Sequence, residues 1–248
     1  MIPPAQSSVL NENHILAALD KTEYQHLFAQ LERVTFVLGE QVYEADGVID
    51  QVYFPETAVF SMLATMEDGR TVEVGPVGNE GLLGLGVALG SRTSPDRVIV
   101  HIAGTAHRLR ASALKAELVS SRTALLHNII RYTRMLLLMT ARTGACNKLH
   151  SLEQQLARWM LTMNDYVGSE LRLTHELMAL TLGVRRAGVS VAANSFRNMG
   201  IIDYRRSHIQ VIDREALKDV ACECYHVVKA EYDRLYSDLS KGFRLYDV

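Results

Sequence analysis

Between residues 31 and 110 the apolar positions come in short β-prone runs: VTFVL, QVYE, QVYFP, VFSMLATM, TVEVGPV and RVIVHIAG. Turn signals divide them at Leu38-Gly39-Glu40, Asp46-Gly47, Asp68-Gly69, Gly75-Pro76 and Gly78-Asn79. Many short strands so spaced predict an all-β barrel or sandwich, and Asp68-Gly69 predicts a hairpin turn. Ahead of them, residues 14–30 (HILAALDKTEYQHLFAQ) carry helical periodicity, and residues 1 to about 13 read as a loose tail. After Arg110 the pattern becomes helical. ASALKAELV predicts a short helix, residues 121–146 a long one without proline, and LHSLEQQLARWMLTMNDYV a third that ends near Gly168.

The long segment would span about 40 Å as one helix. It carries two apolar stripes. One is Leu125, Ile129, Tyr132, Leu136, Met139 and Cys146; the other is Leu126, Ile130, Leu137 and Gly144, with Thr133 and Thr140 between them. Two stripes need two packing partners. The first suits the β-rich domain. The second, near heptad spacing, suits the same helix of a second subunit, or else the interior of a monomer.

Residues 173–206, LTHELMALTLGVRRAGVSVAANSFRNMGIIDYRR, hold two helical patterns around a glycine. Thr174 is a good N-cap, with Glu176 in the first turn. Gly183 allows a tight turn, and Ala179 lets a second helix approach closely. That helix starts near Arg185-Arg186. Val189, Ala192, Phe196 and Met199 form its buried stripe, opposite Arg186, Ser190, Asn194 and Arg197. IIDY and IQVID follow as two short strands, whose polar tip carries Arg205, Arg206 and His208. This is the pattern of a winged helix-turn-helix.

Composition changes the picture little until charge is localised. The chain has 248 residues, 48% hydrophobic and 22% charged, as for ordinary globular proteins. Its formal charge is -2. Between residues 185 and 206, five arginines stand against Asp203, a local balance of +4. Guanidinium groups there suit phosphates and guanine edges; the alternative is a solvated helix face. The longest aliphatic cluster, Leu136-Leu137-Leu138-Met139, is too short for a membrane span. MIPPAQSSVLNEN has no secretion-signal pattern. Cys146, Cys222 and Cys224 are sparse and odd in number, so they read as reduced thiols in a cytoplasmic protein.

These residues resemble the Crp/Fnr family of bacterial transcription regulators over about residues 14–220. The C-terminal match is 173–206 followed by IQVIDREAL. The N-terminal match is LGEQVYEADGVIDQVYFPETAVFSML and then DGRTVEVGPVGNEGLLGL. The resemblance implies an α+β fold, with an N-terminal jelly-roll-like β-roll of the cyclic-nucleotide-binding type, a long dimerisation helix and a C-terminal winged helix-turn-helix. Its implied boundaries are a sensor domain at 14–120, the dimerisation helix at 121–147, the DNA-binding domain at 148–220 and a helical extension at 221–248. The implied function is transcription regulation by a homodimer on an imperfect DNA palindrome. Double-stranded DNA, RNA polymerase and an unknown small-molecule effector are the implied partners.

Carried over residue by residue, the DNA-binding set is Thr174, Arg185, Arg186, Ala187, Ser190, Asn194, Arg205 and Arg206. Arg186 falls on the arginine that reads a base. Ala187 replaces a glutamate reader and Val191 a second arginine reader, while Ser190 remains a polar reader. Arg185 stands where a serine often caps the helix, and meets phosphate instead. The effector pocket departs further. Gly84 is followed by Leu85, without the carboxylate that holds a ribose, and Arg97 is followed by Val98, without the hydroxyl that helps hold a cyclic phosphate. Leu85 would leave a ribose hydroxyl unpaired, so cyclic AMP is not the expected effector. Arg97 could hold another anion or serve a salt bridge. Thr140 and Ala141 fall where nucleotide bases meet the dimer seam.

No cofactor and no metal is expected. An iron–sulfur sensor needs clustered thiolates, and Cys222-x-Cys224 supplies only a pair. Nine histidines leave haem ligation open, but Gly104-Thr105 separates His101 from His107. A competing class is a cupin-like β-barrel metal enzyme, which wants His-x-His, and no such pair occurs. Nor do the GxSxG, HExxH or Walker patterns. A sensor or interaction module without DNA output is the third class.

Overall fold

The computed structural model describes residues 13–119, 124–168, 170–205 and 208–240. The segment 14–30, whose periodicity is helical, forms two helices, α1 (His14–Ala17) and α2 (Lys21–Phe28). Each has its own N-cap. Asn13 accepts from the amides of Ile15 and Leu16, and Asp20 from those of Thr22 and Glu23. The second cap restarts the helix, which one periodicity cannot reveal.

Seven strands follow: β1 (Glu32–Phe36), β2 (Gln41–Tyr43), β3 (Gln51–Pro55), β4 (Val59–Thr65), β5 (Thr71–Val77), β6 (Arg97–Ile102) and β7 (Gly104–Arg110). They build two sheets, ordered β1-β7-β3 and β2-β6-β4-β5. The expected alternatives were a barrel or a sandwich; the sheets do not close into a barrel. The sequence pattern did not reveal β7. Its run, GTAHRLR, is mostly polar, yet it pairs along its length with β1 and β3 as the central strand of its sheet. Ladder bonds and the inward-facing Ala106 and Leu109 suffice to hold it.

The helices are α3 (Ala111–Val119), α4 (Ala124–Leu149), α5 (Leu152–Val167), α6 (His175–Leu182), α7 (Arg186–Asn198), α8 (Arg214–Val220) and α9 (Cys224–Ser240). A second three-stranded sheet, β8-β10-β9, joins β8 (Glu170–Arg172), β9 (Ile202–Arg205) and β10 (His208–Val211). A Ser151–Gln154 capping box starts α5, which separates it from α4. No helix among the described residues is long and apolar enough to cross a membrane.

The chain divides into two compact units. The first holds the described residues of 1–62, 76–137 and 231–248. Its core joins Val52, Phe54, Phe60, Leu83, Val100 and Leu109 of the sheets and their loops to Ile15 of α1 and to Ile129 and Tyr132 of α4. Tyr132 packs closely against the chain at Gly81, where an added Cβ would overlap the ring. The second unit holds 63–75 and 138–230. There α5 packs on α7 and α8, and α6 packs on α7.

The first stripe of α4 is buried at Leu125, Ile129, Tyr132, Met139 and Cys146, joined by Met135; Leu136 is only half-buried. In the second stripe Leu126 is half-buried, while Ile130, Leu137 and Gly144 stay exposed, Ile130 at 42% and Leu137 at 68%.

Candidate nucleic-acid interface

The outward face of α7 is built from the turn before it. Thr174 caps α6 by accepting from the Leu177 amide at 3.1 Å. Gly183 ends α6 with φ 65°, in the left-handed region that favours glycine. Val184 then donates to the Ala179 carbonyl at 3.0 Å and Gly183 to that of Leu180 at 3.2 Å. These two bonds satisfy carbonyls that the helix end would otherwise strand. Arg185 takes the N-cap position of α7 in extended geometry without a side-chain cap bond.

On α7, Val189, Ala192, Ala193 and Phe196 are buried, while Arg186, Ala187, Val191, Asn194 and Arg197 are exposed. Met199, expected in the buried stripe, is 56% exposed. The helix stops at Asn198, so Met199 leaves the 3.6-residue repeat, and Ala193 completes the buried face instead. β9 and β10 form the wing, with exposed Arg205 on it. Arg206 lies outside the described residues.

Carboxylates already partner several of these arginines. Arg186 Nε is 2.8 Å from Glu176 Oε1. Asp203 meets Arg205 at 3.1 Å and Arg197 at 3.8 Å. Arg185 has no ion-pair partner among the described residues. The half-buried Ser190 is held by a residue that sequence reasoning missed: His175 Nδ1 lies 2.9 Å from Ser190 Oγ. The His175 ring stacks on Tyr204 of β9, with centroids 4.6 Å apart. Burial and then the Arg186 charge hold its pKa below the ordinary imidazole value. His175 links α6, α7 and the wing, a convergence that no single periodic pattern shows.

In the first unit, Gly84 caps a 3-10 turn at Leu85–Val87, and Leu85 is half-buried. Val98 lies in the core, 2% exposed. Arg97 meets no ion-pair partner among the described residues, contrary to a salt-bridge role, and its Nε is buried without a hydrogen bond. His101 is buried on β6 and His107 faces Glu56 from β7 at 3.4 Å. Thr140 and Ala141 belong to the second unit and stand exposed on α4.

The three cysteines, separate in sequence, come together with His150 in the second unit, all four ligand atoms within 4.8 Å of one another. No sequence expectation covered this cluster. Its signals were Cys146 and His150 at helical spacing, beside the Cys222-x-Cys224 pair.

Residues 154–220, which run from the first turn of α5 through α8 and include the small sheet, match the Crp-like helix-turn-helix domain family. No curated protein matches the chain. Among solved structures the chain is similar to FixK2 from Bradyrhizobium japonicum, at 16% identity and a TM-score of 0.67, covering 77% of this chain and 98% of that one. It is also similar to the c-di-GMP-responsive global regulator CLP of Xanthomonas campestris, at 15% identity and a TM-score of 0.64, covering 77% and 99%. A CRP-family transcriptional regulator from Thermus thermophilus matches at 20% identity and a TM-score of 0.63, covering 77% and 96%. The chain therefore carries a Crp-like helix-turn-helix domain over residues 154–220, on the fold of the Crp/Fnr transcription regulators.

Proposed function

We propose that the chain is a sequence-specific DNA-binding transcription regulator and not an enzyme. It works in the cytoplasm as a homodimer on a palindromic site. The observation that carries this reading is the split of α7 into a buried apolar face and an exposed face bearing Arg185, Arg186, Ala187, Val191 and Asn194, beside Arg205 of the wing. An exposed face of this kind fits the major groove.

Arg186 reads a guanine edge, and Arg185 and Arg205 contact phosphate. Thr174 positions α6 through its cap, Ser190 is aimed by His175, and Arg206 extends the wing. Val191 offers an apolar surface suited to a thymine methyl. With alanine at 187 and valine at 191, the preferred site differs from that of relatives that carry charged readers there.

The functional division follows residues 14–120 as sensor, 121–147 as dimerisation helix, 148–220 as DNA-binding domain and 221–248 as extension. Support for dimerisation is the exposed stripe Ile130–Leu137 on α4, whose spacing suits a parallel partner. In the sensor, Leu85 and the core position of Val98 oppose cyclic AMP binding by ribose and phosphate contacts. The unpartnered Arg97 Nε suits a different anionic effector, and Gly84 belongs to the same proposed pocket. RNA polymerase is the expected protein partner.

The test is selection of duplexes from a random library, followed by anisotropy titration of the selected site across salt. Specific binding whose affinity falls steeply with log salt is the expected outcome. A folded protein that binds no duplex at low salt, with or without candidate anions, overturns the proposal.

A further inference from the structure

We propose that Cys146, His150, Cys222 and Cys224 form a tetrahedral site for one zinc-class divalent ion. Cys146 and His150 lie one turn apart at the end of α4, held by the His150 amide donating to the Cys146 carbonyl at 3.1 Å. Cys222 lies in the turn between α8 and α9, and Cys224 opens α9. Ala221 is extended there, and Tyr225 donates to the Cys222 carbonyl at 3.2 Å. The turn brings both sulfurs to the helix end.

The distances fit a single ion. Cys146 Sγ and Cys222 Sγ are 3.4 Å apart, Cys224 Sγ and His150 Nδ1 are 3.8 Å apart, and all four atoms lie within 4.8 Å of one another. Zinc–sulfur bonds of about 2.3 Å in a tetrahedron put thiolates about 3.8 Å apart. Side-chain shifts of under about 1 Å therefore close the site. The same spacing is too tight to surround a polynuclear iron–sulfur core, whose thiolates attach to separate irons. Three soft sulfurs and an imidazole also favour zinc over magnesium, calcium or manganese.

The surroundings are those of a ligand set. His150 Nε2 is 3.2 Å from Glu223 Oε2, while its Nδ1 faces the sulfurs. A proton on Nε2 shared with that carboxylate leaves the Nδ1 lone pair for metal, a recurring arrangement around metal-bound imidazoles. Gln155 donates to the His150 carbonyl at 2.9 Å and fixes the backbone there. All three cysteines are buried, and so is Arg158, whose charge acts on Cys146. Three thiolates around a divalent ion carry a net charge of -1, which the Arg158 guanidinium offsets. On uptake each S–H bond breaks, each sulfur bonds the ion, and three protons leave to water; no electron is transferred.

The test uses the full chain, purified under reductant and without chelator. Metal content by mass spectrometry should be about one zinc per chain. After chelator stripping, cobalt(II) titration should give intense visible bands of a tetrahedral ion and thiolate charge transfer, which zinc then displaces. Cys224→Ser should abolish the charge-transfer pattern of three thiolates. Glu223→Gln, at an exposed carboxylate that does not hold the fold, should weaken cobalt affinity about 10–100-fold. His226→Gln is the control and should change nothing. A folded protein with three thiols freely titratable and no tetrahedral cobalt spectrum overturns the proposal. So does a Cys146–Cys222 disulfide in protein freshly purified without oxidant, or unchanged cobalt affinity in both Cys224→Ser and Glu223→Gln.

Discussion

Replacing Arg186 with alanine tests the reading of the interface most directly. In the free chain its guanidinium pairs with Glu176 at 2.8 Å, with the two side chains 65% and 61% exposed. A pair that exposed contributes only about 0.2–0.5 kcal/mol. Exchanging it for a guanine edge therefore costs little, whereas a bidentate base contact is worth about 1–3 kcal/mol of discrimination. Arg186→Ala should weaken binding to the selected site by about 5- to 150-fold and relax preference at one base position. Binding to random duplex should fall much less. Glu176→Gln should act oppositely, raising affinity by about 1.4- to 2-fold at low salt, and this gain should shrink as salt screens the pair. In the Arg186→Ala background the Glu176→Gln gain should diminish, because the released partner is gone. Anisotropy titrations on selected and random duplexes measure all four proteins. Equal losses on both duplexes in Arg186→Ala would refute base reading and leave only a phosphate contact.

Other perturbations probe the scaffold. Leu137→Lys places a charge at a position 68% exposed on the second stripe of α4; sedimentation should show a dimer lost without loss of helicity, and an intact dimer would contradict the proposed seam. Gly183→Ala forces a Cβ into the left-handed region, 3.1 Å from Val72 Cγ2. It should cost about 1–2 kcal/mol in urea unfolding, and an unchanged midpoint would show the turn to be unstrained. Burial lowers the pKa values of His14 and His101 to about 4 from an ordinary 6.5. Both are neutral in the folded chain and gain protons more readily when it unfolds. Their contribution is complete above pH 6.5 and is lost as pH falls toward 4, at most about 3 kcal/mol each. Urea midpoints measured from pH 7.5 to 5, before most carboxylates titrate, should decline, and a flat profile would refute the burial argument.

The chemistry that sequence alone exposed is chemistry carried by neighbours along the chain. Thr174, Gly183 and the alternation of faces on α7 are set within one or two turns, so capping and periodicity reveal them. The strand β7 escaped because its stability comes from two partners, both more than 50 residues away by the registers Arg33 to His107 and Phe54 to His107, and not from an apolar pattern of its own. Met199 was misplaced because a periodic stripe carries no information about where the helix ends. The interface shows the same dependence on distant partners. The charge count over residues 185–206 omitted Glu176, which lies outside that window yet pairs with Arg186. Likewise, nothing in the spacing of His175 and Ser190 requires them to meet across the turn.

The cysteine cluster is the limiting case. Cys146 and Cys222 are 76 residues apart, and their sulfurs approach only because α8 returns along α5 and ends beside the C-terminus of α4. Arg214 fixes the start of that return by bonding Asn164, Asp165 and the Tyr225 hydroxyl. Tyr225 directly follows Cys224, so the network at Asp165 and the cluster at Cys146 restrain the same turn from two sides. A restraint of this kind narrows the positions open to the thiols before any ion arrives. That lowers the ordering cost of binding, and it argues that a metal-free chain keeps the turn between α8 and α9 instead of unravelling there.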